Sequence, residues 1–169
     1  MTDGEFLEAF DDGTLPRDDF THGAHVRLAW ICLRRLGFEE GSRRVVAGIR
    51  AFAALHGATG LYHETVTRAW LALIAAADTA EAASFDAFLA AHPGLFVRGV
   101  LERHYDPRTL ASEEARARFM APDREPLPAP LSRPGQHGAV EAEARGGFEG
   151  HGLAHELSVR GVTRHRDRP

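Results

Sequence analysis

Helical periodicity with histidine in the buried phase is the feature that most constrains this chain. From Thr21 onward, the positions that share one helical face are His22, His25, Ala29, Cys32, Leu33 and Leu36. Thr21 is a good N-cap, Phe20 and Val26 are spaced to staple the first turn, and Gly37 closes the segment. About forty residues on, a second opening looks alike: Tyr62-His63-Glu64-Thr65-Val66-Thr67-Arg68-Ala69-Trp70, with His63, Val66, Thr67, Trp70, Leu73 and Ala77 on its inner face. Nowhere does apolar and polar character alternate with the period of two that a half-buried strand requires. The expected fold class is therefore all-α, a compact bundle of about five to seven helices.

The remaining segments fit that reading. A short helix over residues 3 to 10 aligns Phe6, Leu7 and Phe10. Another, from about Ser42 to His56, turns Val45, Ile49, Phe52 and His56 inward, with Gly57 as C-cap. Ser84 caps a helix that Pro93 stops, Leu95 to Tyr105 is a further helix, and Ser112 caps a last one ending near Met120. From Pro122 the prolines crowd together (Pro122, Pro126, Pro128, Pro130, Pro134) and Gly-rich polar sequence follows. The division expected is a helical domain over 1–125 and an extended or disordered tail over 126–169. The tail histidines, His137, His151, His155 and His165, are too scattered for a preorganised site.

Charge and composition narrow the partners. Up to residue 125 there are 14 Arg against 19 acidic residues, and beyond it 6 against 5, with no lysine at all. No basic face of the size that a nucleic-acid backbone needs is implied, and lysine chemistry is excluded. Cys32 is alone, which fits a reducing compartment, and the acidic N-terminus lacks the pattern of a secretion signal, so the expected location is cytoplasmic. The longest apolar run, Ala69 to Ala77, is about half of the roughly 20 residues that a membrane span needs, and no membrane association is expected.

Buried imidazoles need a reason, because each leaves two nitrogens to satisfy and an unpaired buried polar group costs about 1–3 kcal/mol. One reason is a shared metal. His22 and His25, three apart on a helix, can reach one ion, and His63 can supply a third ligand from the second helix. Three imidazoles with an open position suit Zn, Fe, Mn or Ni, and imidazole does not choose among them. Around such a centre Glu64 and His104 are the candidate proton-handling residues, and Arg27, Tyr62, Arg68 and Tyr105 the candidate substrate-binding ones. Trp30 and Trp70 are core residues or the walls of a pocket.

The segments FTHGAHVRLAW at 20–30 and YHETVTRAW at 62–70, with HP at 92–93, ERHY at 102–105 and PDREPLP at 122–128, resemble a family of uncharacterised bacterial helical proteins. The resemblance covers roughly residues 5 to 128 and implies a single helical domain, with no established activity to carry over. Three functional readings stand at this point. The first is a metal-dependent enzyme acting on a small molecule. The second is a metal-free module that binds a small anion or regulates, and the third is a structural or interaction protein whose histidines are each satisfied separately.

Overall fold

In the computed structural model, residues 1–78, 82–97 and 99–130 are described, and all lie in one compact unit. The expected tail beyond residue 130, with its four histidines, falls outside the described residues. The described residues form six α-helices and no strand: α1 (Asp3–Asp11), α2 (His22–Leu55), α3 (Glu64–Ala77), α4 (Phe85–Ala91), α5 (Pro107–Leu110) and α6 (Glu113–Ala117). No helix among them is long and apolar enough to cross a membrane.

Local chemistry sets the ends. Thr2 and Glu5 close a capping box on α1, while Thr21, Ser84 and Ser112 each accept a backbone N–H at the start of α2, α4 and α6. Long as it is, α2 breaks at Gly37, whose φ of 78° and ψ of 176° lie in a region that only glycine occupies without strain. The chain turns back there. A Cβ on Gly41 would stand 2.8 Å from the carbonyl oxygen of Cys32, so glycine lets the second arm of α2 start directly over the end of the first. The two arms correspond to the two helices expected from the sequence. Leu36, placed on the inner face by periodicity, is 46% exposed, although Leu33 and Gly37 on either side of it are buried.

The chief interface is between α2 and α3, with Val26, Ala29, Val45, Leu71 and Ile74 buried along it, while Trp30 packs on Phe85 and Phe88 of α4. From the other side Phe6 and Phe10 of α1 close the core, with the Phe10 ring stacked on Phe52 at 5.5 Å. The helix expected over Leu95 to Tyr105 is instead two short 3-10 turns, Pro93–Phe96 and Val100–Arg103, with Gly99 in the left-handed region between them at φ 82°. Gly99 interrupts what periodicity alone would continue.

Candidate functional site

The two histidine-bearing helix starts fold differently, and the difference begins at the cap. In α2 the cap is Thr21, which makes His22 the first helical residue and sets His25 one turn in. In α3 nothing ahead of His63 in Gly60-Leu61-Tyr62 can cap, so His63 does so itself: its Nδ1 accepts the Val66 N–H at 3.3 Å. Its Nε2 lies 2.8 Å from the carbonyl oxygen of Leu110. The neutral tautomer protonated at Nε2 satisfies both contacts, and no lone pair of His63 is left for a metal.

Residues His22, His25 and His63 do not converge, and among the described residues no group of three or more His, Cys, Asp or Glu is gathered to hold a metal ion. The donor set does not fit a three-imidazole site for Zn, Fe, Mn or Ni.

The candidate proton-handling residues are likewise engaged elsewhere. Glu64, 5% exposed, accepts from the Tyr62 hydroxyl, from Arg50 at 2.9 Å and from Arg68. Burial pushes its carboxyl up, but the Tyr62 and Arg68 hydrogen bonds and the two guanidinium charges outweigh that and hold it below its ordinary value. The Tyr62 hydroxyl, half-buried against this carboxylate, is pushed up to about 12. Together the four side chains tie the second arm of α2 to the first turn of α3. His104 and Tyr105 serve the C-terminal segment: His104 Nδ1 meets the Glu125 carbonyl at 3.0 Å, and the fully buried Tyr105 donates to the Met120 carbonyl at 3.0 Å. Thr65 completes that latch, donating to the Arg118 carbonyl and accepting from the Met120 N–H. Arg27 is held by Asp3 at 2.7 Å and by the Met1 carbonyl, beside the Phe6 ring. Arg27 and Arg68, expected as substrate-binding residues, thus each pair with a carboxylate of this chain.

What the structure does bring together is His22, His25 and a cavity of about 290 Å³ between α2 and α3. Val26 and Ala29 from the first arm, Val45 and Ile49 from the second, and Val66 and Ile74 from α3 supply predominantly apolar walls. Trp70 forms a side, and the exposed His22 packs edge-on against it at 4.7 Å, where the cavity meets solvent. Thr67 adds a hydroxyl.

His25 is the defined polar group. Its Nδ1 lies 2.7 Å from the Thr21 carbonyl oxygen, which can only accept, so Nδ1 carries the proton and Nε2 presents a lone pair. Burial holds this imidazole below its ordinary value, the Thr21 contact opposes the shift, and a charge on His22 would add to it. The ring is fixed further by Phe20, with centroids 3.8 Å apart.

A second cavity of about 200 Å³ lies on the far side of His25, and His25 and Ile49 line both. His56, the C-cap of α2, borders it with its ring 4.3 Å from that of Phe52. The His56 Nε2 is buried with no hydrogen-bond partner. Periodicity places His56 at the end of its helix but not beside a cavity, because its neighbours there come from two separate connections, Arg17 and Phe20 ahead of α2 and Tyr62 ahead of α3.

Compared with protein families, with curated proteins and with solved structures, the chain matches none. The functional reading therefore rests on this geometry.

Proposed function

We propose that the protein binds a small, predominantly apolar molecule between α2 and α3, with a hydroxyl or N–H of the ligand donating to Nε2 of His25. The observation that carries this reading is the placement of one oriented, neutral imidazole in the wall of an otherwise apolar cavity. A concave apolar site with few convergent polar groups is the usual form of a small-molecule pocket. A ligand without charge suits it, since the arginines nearby are occupied by carboxylates.

The reading departs from a small-anion module in the charge of the ligand and from a metal-dependent enzyme in needing no ion. The test is thermal stability against a panel of uncharged metabolites bearing one hydroxyl or amide. A ligand at 100 times its Kd is expected to stabilise the fold by about 2.7 kcal/mol. Val66→Phe, which fills the cavity from a half-buried position, is expected to abolish the shift. If no member of the panel stabilises the protein, or if stabilising members act equally on Val66→Phe, the cavity is not the binding site.

A further inference from the structure

The second cavity differs from the other arginine-bearing hollows in the charges that border it. The hollow between α1, α2 and α4 holds Arg27 with Asp3, Asp19 and Asp86, and the one beside Phe10 holds Arg44 with Asp11 and Asp12. The one between Phe38 and Leu71 holds Arg43, Arg50 and Arg68 with Glu39. Each of those arginines is paired with a carboxylate, that of Asp3, Asp11, Glu40 or Glu64. The second cavity has Arg17 in its lining and neither aspartate nor glutamate. Among the described residues the Arg17 guanidinium makes no ion pair and no hydrogen bond.

A single 3-10 turn, Arg17–Asp19, puts that guanidinium there. The Asp19 N–H donates to the Pro16 carbonyl at 3.0 Å and the Phe20 N–H to the Arg17 carbonyl at 3.2 Å. The turn sets Arg17 and Phe20 on the same cavity, while Asp19 borders the hollow beside α1 instead. Behind Arg17 the walls are apolar, formed by Phe20, Ile49, Phe52, Ala53 and Leu61. The Tyr62 hydroxyl, pushed up to about 12, keeps its proton, so no group of the lining carries a negative charge. A guanidinium meets a carboxylate as a two-pronged donor, and one guanidinium balances one charge rather than the nearly two of a phosphate group.

We infer that the second cavity is a binding site of its own, for a small monocarboxylate with a short apolar body. Arg17 holds the carboxylate at the rim, where both stay partly hydrated, and the body lies against Phe20, Ile49, Phe52 and Leu61. At about 200 Å³ the cavity falls below the range of about 300–1,000 Å³ typical of drug-sized ligands, so the body is a short one. Arg17 does not line the first cavity, and this site does not depend on the uncharged ligand proposed there.

Straight-chain carboxylates from acetate to pentanoate test it, with pentanamide as the uncharged counterpart and binding followed by calorimetry. In the unaltered protein, affinity is expected to rise about fourfold per methylene along the series. Pentanamide should bind about tenfold more weakly than pentanoate, because it lacks the charge that Arg17 meets. Arg17→Gln, a change at an exposed side chain without partners, should leave the fold intact and bring pentanoate down to the level of pentanamide. Ala58→Phe, which fills the second cavity, should abolish pentanoate binding. Val66→Phe, which fills the first, should leave it unchanged.

Equal affinity for pentanoate and pentanamide in the unaltered protein overturns the site, and so does pentanoate binding that Arg17→Gln leaves as it was. Both comparisons hold even if Ala58→Phe does not fold. Pentanoate binding that Val66→Phe abolishes would put the carboxylate in the first cavity and overturn the assignment to the second. Failure of the whole series to bind removes this site and leaves the reading of the first cavity to its own test with uncharged ligands.

Discussion

The starts of α2 and α3 carry the same kind of residue and put it to opposite uses. At α2, Thr21 supplies the cap, and His25 is left one turn in, in the wall of a cavity, with only its Nδ1 engaged by the Thr21 carbonyl. At α3 the histidine is itself the cap, and both its nitrogens are consumed by Val66 and Leu110. Four positions of helical phase separate a residue that can meet a ligand from one that holds the fold. A histidine on an inner face is therefore a site only when the chain satisfies one nitrogen and leaves the other.

The comparison predicts that the α3 end is structural throughout, and the largest effect is expected there. Glu64→Ala removes a buried carboxylate that serves Tyr62, Arg50 and Arg68. Breaking a buried ion pair outright costs about 3–5 kcal/mol, and because Arg50 and Arg68 are 53% and 48% exposed and can rehydrate, the lower end, about 3 kcal/mol, is expected. Urea unfolding measures it. A loss below about 1 kcal/mol would show that the four side chains do not join the two helices.

His63→Ala comes next. It deletes a helix cap and the contact that docks Leu110 on α3, each worth about 1 kcal/mol, for a total of about 2 kcal/mol. Ligand affinity should change less than twofold, since His63 does not line the cavity. A large loss of affinity with little loss of stability would reverse the assignment of the two helix starts.

Acid should weaken both ends, for reasons of one sign and in two windows. Burial holds His25 below its ordinary 6.5, so the unfolded chain takes up the proton first, and stability is complete above that value and declines as pH falls through the folded one. Glu64 is held below its ordinary 4.5 by Tyr62, Arg68 and Arg50 against the opposing effect of burial, so its contribution is lost in turn as pH falls through its own lowered value. Urea midpoints between neutral and acid pH should show two declines. Glu64→Gln should lessen only the lower one, to which Glu5 and Asp123 also contribute, and a decline confined to the carboxylate range would place His25 in water rather than in the cavity wall.

Much of the fold is legible in the sequence, because Phe6, Phe10, Ala29, Leu33, Val45 and Phe52, inward by the periods of α1 and both arms of α2, are buried; in α3 the face expected to be inner (Val66, Thr67, Trp70, Leu73, Ala77) is only half-buried, and Leu71 and Ile74 are the buried ones. The glycine at 37 marks the break in α2 by its conformation alone. The candidate site was only partly legible. Periodicity brings His22 and His25 to one face, but it puts His63 inside its helix when His63 is the cap, although the absence of any capping side chain at Gly60, Leu61 or Tyr62 carries that information. The roles of His104 and Tyr105 depend on carbonyls of Glu125 and Met120, contributed by a segment whose path no local pattern reveals. The second cavity depends on the connection at 17–20 meeting the end of α2 and the connection ahead of α3, a meeting made only in space.

The smallest change in stability, and the sharpest test of the comparison, is expected from His25→Phe. The phenyl ring keeps the volume of the imidazole and its contact with Phe20 at 3.8 Å, and what is lost is the Nδ1 contact with the Thr21 carbonyl. That carbonyl still accepts the His25 backbone N–H at 3.0 Å and sits in an exposed residue, so the unbound protein should move by less than about 0.5 kcal/mol. The decline in stability between neutral pH and the carboxylate range should disappear with the imidazole. Binding should respond in the opposite proportion: a ligand hydroxyl that donated to Nε2 now faces carbon, and leaving a buried polar group unpaired costs about 1–3 kcal/mol, about fivefold to 150-fold in affinity. His63→Ala should reverse these proportions, losing stability and keeping affinity. If the two substitutions behave alike in either measurement, the distinction between a capping and a ligand-facing histidine fails, and the cavity loses its one oriented polar group.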